Sequence, residues 1–119
     1  MEGYVYDINN LTQPIKEFTF STTRNEGWGL TYDKANDQLI VSDGSKYLHF
    51  WDPHKFTETH KVAVKRLDGK DARNINELEW WRHRVLANVW FEDTILVINP
   101  ETGIVEKEYG EYIIVPRHE

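Results

Sequence analysis

Residues Asn74 to Trp90 read Asn-Ile-Asn-Glu-Leu-Glu-Trp-Trp-Arg-His-Arg-Val-Leu-Ala-Asn-Val-Trp. Apolar Ile75, Leu78 and Trp80 are interleaved with Asn76, Glu77 and Glu79; a polar turn follows at Arg82 to Arg84, and Val85 to Trp90 is strongly apolar. Two short β-type runs joined by a tight charged turn predict a hairpin. Asn76 and Asn88 lie inside these runs although Asn is depleted from strands. Either each amide satisfies a neighbouring backbone group or it faces a site. Trp80 and Trp81 are chain neighbours, so in a strand their rings point to opposite faces, one towards a core and the other towards an adjoining sheet or a partner.

Outward from this hairpin the chain repeats. Strands are expected at Gly3 to Ile8, Ile15 to Phe20, Trp28 to Tyr32, Gln38 to Ser42, Tyr47 to Trp51, Thr57 to Val64, Thr94 to Ile98, Ile104 to Tyr109 and Tyr112 to Val115, with no helix. Leu30 falls against Leu78, 48 residues on, Leu39-Ile40-Val41-Ser42 against Val85-Leu86-Ala87-Asn88, 46 on, and Leu48 to Pro53 against Ile95 to Pro100, 47 on. Tyr4-Val5-Tyr6-Asp7 matches the third strand of an earlier unit, Asp7 lying 45 residues before Asp52. A period of about 40–50 residues carrying four short strands is the mark of β-propeller blades. The expected fold is therefore all-β, a partial β-propeller of about two and a half four-stranded antiparallel blades. Residues 1–20 close one blade, 21–66 form a second and 67–110 a third, and 111–119 begin the next or form a tail. Propellers close with about four or more blades, so 119 residues are expected to be part of one.

Composition excludes several classes of function. The net charge is −6 with Lys and Arg scattered among the acids, so no nucleic-acid surface is expected. Apolar runs of about six residues are too short to cross a bilayer. Met1-Glu2-Gly3 leads straight into a strand-like run, without the charged start and apolar core of a signal peptide. Cysteine is absent, which removes disulfides and thiolate chemistry, and His49, His54, His60, His83 and His118 show no metal-ligand spacing, so neither metal nor cofactor is expected. Glu77 and Glu79 share a strand face and read as a solvated pair rather than a catalytic one. Asp43-Gly44-Ser45 suits either an anion cradle or a tight hairpin turn.

Four segments taken together carry a family resemblance. Glu26-Gly27-Trp28-Gly29-Leu30-Thr31 with Ser42-Asp43-Gly44-Ser45, Asn76-Glu77-Leu78-Glu79, Ala87-Asn88-Val89-Trp90 and Ile98 to Gly103 resemble the plant and bacterial type of glutaminyl-peptide cyclotransferase, also called glutamine cyclotransferase. The resemblance runs from Tyr4 to Tyr109. It implies a five-bladed, metal-independent propeller that cyclises N-terminal glutamine to pyroglutamate and releases ammonia, with peptides or proteins bearing N-terminal Gln as substrates. The family's full-length members are extracytoplasmic, and the compartment of this chain stays open.

The resemblance also implies residue roles. Asn76 is the expected catalytic residue, a donor to the substrate amide oxygen as it gains negative charge, and Trp28 and Trp90 are expected to bind the substrate side chain. On the residues alone, both indoles serve equally well as packing between blades. The family's proton-shuttling acid lies in a Gly-Glu-Gly-Leu segment of an earlier blade and its lysine in a later one, neither of which this sequence contains. Glu26 sits in a similar-looking segment of a different blade and is not assigned as the acid. The chain is thus expected to need its missing blades from another chain, from a second copy or from a longer protein of which it is a piece, and to be inactive alone. The competing readings are an inert propeller fragment kept as a structural or binding subunit and, with less behind it, a propeller lectin.

Overall fold

The computed structural model describes residues 1–110; the strand expected at Tyr112 to Val115 lies outside them. Ten strands account for the architecture: β1 (Glu2–Val5), β2 (Lys16–Thr19), β3 (Gly29–Asp33), β4 (Gln38–Ser42), β5 (Tyr47–Trp51), β6 (Glu58–Ala63), β7 (Ile75–Trp81), β8 (Arg84–Val89), β9 (Ile95–Ile98) and β10 (Val105–Tyr109). They form a two-stranded sheet β1-β2 and two four-stranded antiparallel meanders, β3-β4-β5-β6 and β7-β8-β9-β10. These sheets do not close on one another, and the fold is all-β, a partial propeller. Strands β3 and β7 are the neighbouring inner strands.

Local chemistry sets the strand limits. Between β7 and β8 the two-residue turn Arg82-His83 has both residues at positive φ (49° and 64°), the geometry whose twist matches that of the flanking strands. The turn is one residue shorter than the sequence suggested, and Arg84 belongs to β8. At the corner after the third strand of each unit the same side-chain device recurs. Asp7 Oδ1 accepts the Asn9 N–H (2.8 Å), Asp52 Oδ1 accepts those of His54 (2.8 Å) and Lys55 (2.9 Å), and Asn99 Oδ1 accepts that of Glu101 (2.9 Å). Asx side chains favour such corners because they hydrogen-bond their own backbone two residues on. The corner recurs at the repeat interval, so the repeat is structural as well as sequential.

The core lies between the two meanders. Ile40, Leu48 and Phe50 of the first meet Val85, Ala87, Leu96, Ile98 and Val105 of the second, with Val62, Leu78 and Trp80 packed alongside. In β8, Val85, Ala87 and Val89 are buried while Arg84, Leu86 and Asn88 are only half-buried, the alternation of a strand with one covered face. Trp80 therefore faces the core, and Trp81 stands half exposed on the far side. The β1-β2 sheet packs on the opposite face of the first meander through Phe18 and Phe20, whose rings lie 6.3 Å and 5.1 Å from that of Trp51.

The start of the link between the meanders is pinned to the second meander. Lys65 N–H donates to the Gly103 carbonyl (3.0 Å), and Lys65 accepts from Val105 N–H (2.9 Å). Arg66 bridges Glu92 of the β8–β9 loop (3.0 Å) and Glu108 of β10 (2.8 Å), which holds the Glu108 carboxyl below its ordinary range.

Candidate functional site

At the end of the molecule where β3 and β7 begin, Glu26, Trp28, Asn76 and Trp90 line an open depression of about 390 Å³. Three segments far apart in the chain deliver them: the loop before β3, the start of β7 and the residue just past β8. The three residues expected from the sequence to form the site, Trp28, Asn76 and Trp90, thus come together, and Glu26 joins them. The packing alternative also has something behind it, because the Trp28 and Trp90 rings meet edge to face at 5.2 Å. That contact lies at the depression rather than in the core between the meanders.

Each wall is held by backbone bonds. Trp28 N–H donates to the Ser42 carbonyl (2.9 Å), and its ring lies against Gly44, whose φ of +83° and lack of a Cβ leave room for the indole. Asn74 N–H donates to the Gly44 carbonyl (3.0 Å), and the Asn74 carbonyl accepts from Trp90 N–H (2.9 Å). Strand β8 ends at Val89, one residue short of the apolar run, but the Trp90 bond carries the β7–β8 register one pair further. The Trp90 ring stacks on that of Phe91 at 4.5 Å, and Phe91 has a φ of 76°, a left-handed conformation uncommon for a bulky residue.

The polar groups divide into committed and free. The Trp28 indole N–H donates to Glu26 Oε1 at 2.7 Å, so it is already satisfied. Asn76 accepts the Ser42 hydroxyl through its main-chain carbonyl. Its side-chain carboxamide has no hydrogen-bond partner among the described residues, and neither has the Trp90 indole N–H. These are the free donors in the depression. Asn88 is different: its Oδ1 accepts the Glu77 N–H at 2.7 Å, where a bulge between Ile75 and Leu78 breaks the β7–β8 ladder. Of the two amides singled out in the sequence, one repairs the backbone and one faces the depression.

Beneath the loop lies a buried polar cluster that the sequence did not reveal. Asp43 and His49 are almost fully buried. Asp43 accepts the N–H groups of Arg24 (2.6 Å) and Ser45 (3.1 Å) and the Ser45 hydroxyl. Burial alone would push its carboxyl up, but these bonds outweigh it and hold the group below the usual carboxylate range. His49 Nδ1 lies 2.6 Å from Glu58 Oε1, and its Nε2 lies 3.4 Å from Asp43 Oδ2. Asp43-Gly44-Ser45 is thus a hairpin turn capped by its own aspartate. The loop above is fixed in turn, since Thr22 Oγ1 accepts the Glu26 N–H (3.0 Å) and donates to the Glu26 carbonyl (2.9 Å).

A depressed carboxyl stabilises the fold fully above the unfolded value of about 3.9 and loses that contribution as pH falls below it. Asp43→Asn is expected to lower stability by about 2 kcal/mol at pH 7, because it weakens several buried hydrogen bonds to a charged acceptor. Urea unfolding at pH 7 and pH 3.5 checks this, with the gap between wild type and variant narrowing at the lower pH.

Comparison with known proteins points one way. A sequence profile described as glutamine cyclotransferase matches residues 1–117. The glutaminyl-peptide cyclotransferase of Arabidopsis thaliana is 39% identical over 101 residues, which are 85% of this chain and 30% of that protein. The crystal structure of Myxococcus xanthus glutaminyl cyclase superposes with a TM-score of 0.72 at 36% identity, covering 81% of this chain and 39% of that one. The chain spans well under half the length of either relative.

Proposed function

Because this chain belongs to the glutamine cyclotransferase family, we propose that it supplies the amide-binding wall of a glutaminyl-peptide cyclotransferase, which cyclises N-terminal glutamine to pyroglutamate with release of ammonia. The observation that carries the reading is the convergence of Trp28, Asn76 and Trp90 on one depression with the Asn76 carboxamide unengaged. In the reaction the substrate's α-amine attacks its own side-chain carboxamide carbon. A ring C–N bond forms, the oxygen gains negative charge, and the C–N bond to the leaving nitrogen breaks as the amine's proton passes to it. Asn76 donates to the developing oxyanion, a contribution of about 3 kcal/mol where such donors are fixed in advance. Trp90 offers the second free donor, and the two indoles form apolar walls for the substrate's methylenes and exclude water.

The proton carrier is not among these residues. In this proposal it comes from further blades of the same fold, supplied by the rest of a longer polypeptide, by another polypeptide or by a second copy of the chain. The open face of the second meander supports such a partner. There half-exposed Trp81, partly buried Leu86, Ile95 and Tyr109 and buried Val97 line a hollow of about 380 Å³ edged by Arg84, Glu106 and Lys107, on the side opposite the core. A half-exposed Trp beside such a hollow suits an association surface. Sedimentation velocity across a dilution series is expected to show self-association or aggregation of the purified chain. A compact monomer persisting at micromolar concentration would count against the need for partner blades.

The activity is tested by measuring ammonia release from a peptide with N-terminal Gln, using the native assembly that contains this chain and adding chelator throughout. Release that continues under chelation supports the proposal. An inert native assembly would leave the chain as a structural subunit.

A further inference from the structure

Among the four residues lining the depression only Glu26 carries a charge, and its function is unassigned. Its Oε1 accepts the Trp28 indole N–H at 2.7 Å, while its main chain is clamped by the Thr22 hydroxyl at 3.0 Å and 2.9 Å. The carboxylate thus sits at an exposed rim, fixed by one hydrogen bond of its own and by two that hold its backbone. Its other oxygen has no partner among the described residues, and it forms no ion pair there although Arg24 is two positions away. Arg24 is occupied elsewhere, donating to the Gly44 carbonyl (3.2 Å) and lying 5.5 Å from the centre of the Trp28 ring. A fixed anion with one free oxygen, beside indole rings, is a site for a small cation.

We propose that Glu26 is a specificity-determining residue that recognises the α-ammonium group of an N-terminal glutamine. The inference rests on the reading of the depression as the glutamine site. The lining groups then correspond to the parts of that ligand. The Asn76 carboxamide and Trp90 N–H face the side-chain amide, the Trp28 and Trp90 rings cover the two methylenes, and the Glu26 carboxylate meets the cationic end. An internal glutamine has no such cation, so Glu26 selects for chain termini. Because the Glu26 carboxylate also fixes the Trp28 ring, recognition of the amine is coupled to the wall that holds the side chain.

The test measures binding of three short peptides to the native assembly that contains this chain, by quenching of tryptophan emission. One begins with Gln, one with N-acetyl-Gln and one with Ala. Wild type is expected to bind the Gln peptide best and to prefer it over the acetylated form by roughly three- to fivefold, the scale of a partly exposed ion pair. In Glu26→Gln the side-chain carbonyl still accepts the Trp28 N–H, so the wall stays in place while the charge is lost. This variant is expected to bind the free and acetylated Gln peptides equally and still to reject the Ala peptide. Equal preference for the free amine in wild type and Glu26→Gln overturns the assignment of Glu26 alone. If wild type does not distinguish Gln from Ala, or binds no peptide, the reading of the depression as a glutamine site fails, and the role of Glu26 fails with it.

Discussion

Asn76→Ala is expected to slow ammonia release by about two orders of magnitude, the usual consequence of removing one fixed donor to a developing oxyanion. The effect should fall mainly on kcat, because the interaction strengthens as charge builds on the substrate oxygen. The surroundings leave little to compensate. The Trp28 N–H is committed to Glu26, which leaves the Trp90 N–H as the remaining free donor at the depression. A structural role makes a different forecast. The bond that ties Asn76 into the fold uses its main-chain carbonyl, which accepts the Ser42 hydroxyl and survives the substitution. Stability of Asn76→Ala should therefore stay within about 0.5 kcal/mol of wild type, as for substitutions that break no buried contact. Asn76→Asp keeps the shape and one acceptor but removes the amide donor, so it should be at least as slow. A urea midpoint that drops in step with the rate would show that the amide serves the fold instead of the reaction.

How much of this was legible in the sequence depends on whether side-chain chemistry is local. Strands β4 and β5 lie at the expected limits, Gln38 to Ser42 and Tyr47 to Trp51, because an Asp-Gly turn and an Asp-Pro stop bound them. The recurring corner at Asp7, Asp52 and Asn99 was visible for the same reason. Parity along β7 said that Trp80 and Trp81 part company, but which ring enters the core depends on the bulge at Ile75 to Leu78. A bulge adds a residue without changing the composition of the run, so alternation alone does not reveal it. The same bulge explains Asn88, whose amide repairs the broken ladder. The positive φ of Phe91, in the turn just past β8, was equally hidden, since a bulky aromatic gives no sign of it.

Trp28, Asn76 and Trp90 were picked out through family resemblance rather than by pattern, as nothing in their spacing requires them to meet. Glu26 went unassigned because its place at the site depends on a loop held by Thr22 and, below that, by buried Asp43. Polar residues such as Asp43 and His49 look like surface in a sequence. Their burial arises only once the β1-β2 sheet and the two meanders are assembled. The one local signal available for Glu26 was its position two residues before Trp28, within reach of the indole N–H.

Gly29→Ala is expected to be the most damaging single methyl addition near the site, costing about 3 kcal/mol or more in stability and abolishing ammonia release. The reason is a close approach between inner strands rather than an unusual backbone angle. A Cβ at Gly29 would overlap the Asn76 carbonyl oxygen and lie 2.8 Å from Ser42 Oγ. Neither neighbour yields cheaply: one is backbone and the other is hydrogen-bonded to that same carbonyl. Overpacking of this kind forces backbone shifts, and here the shift separates β3 from β7 at the point where Asn76 enters the depression. Fold and site are thus coupled through one glycine. Gly27→Ala is the matched control, since an added Cβ there meets the Phe20 ring at an ordinary 3.7 Å and should change stability by no more than about 0.5 kcal/mol. Ser42→Ala separates the two parts of the effect. It removes the hydrogen bond to Asn76 without the clash and is expected to cost about 1 kcal/mol. Urea midpoints in the order Gly27→Ala, Ser42→Ala, Gly29→Ala, from least to most destabilised, are the expected result. A Gly29→Ala protein as stable as the Gly27→Ala control would mean that the inner strands do not approach so closely, and that Asn76 is positioned by something other than β3.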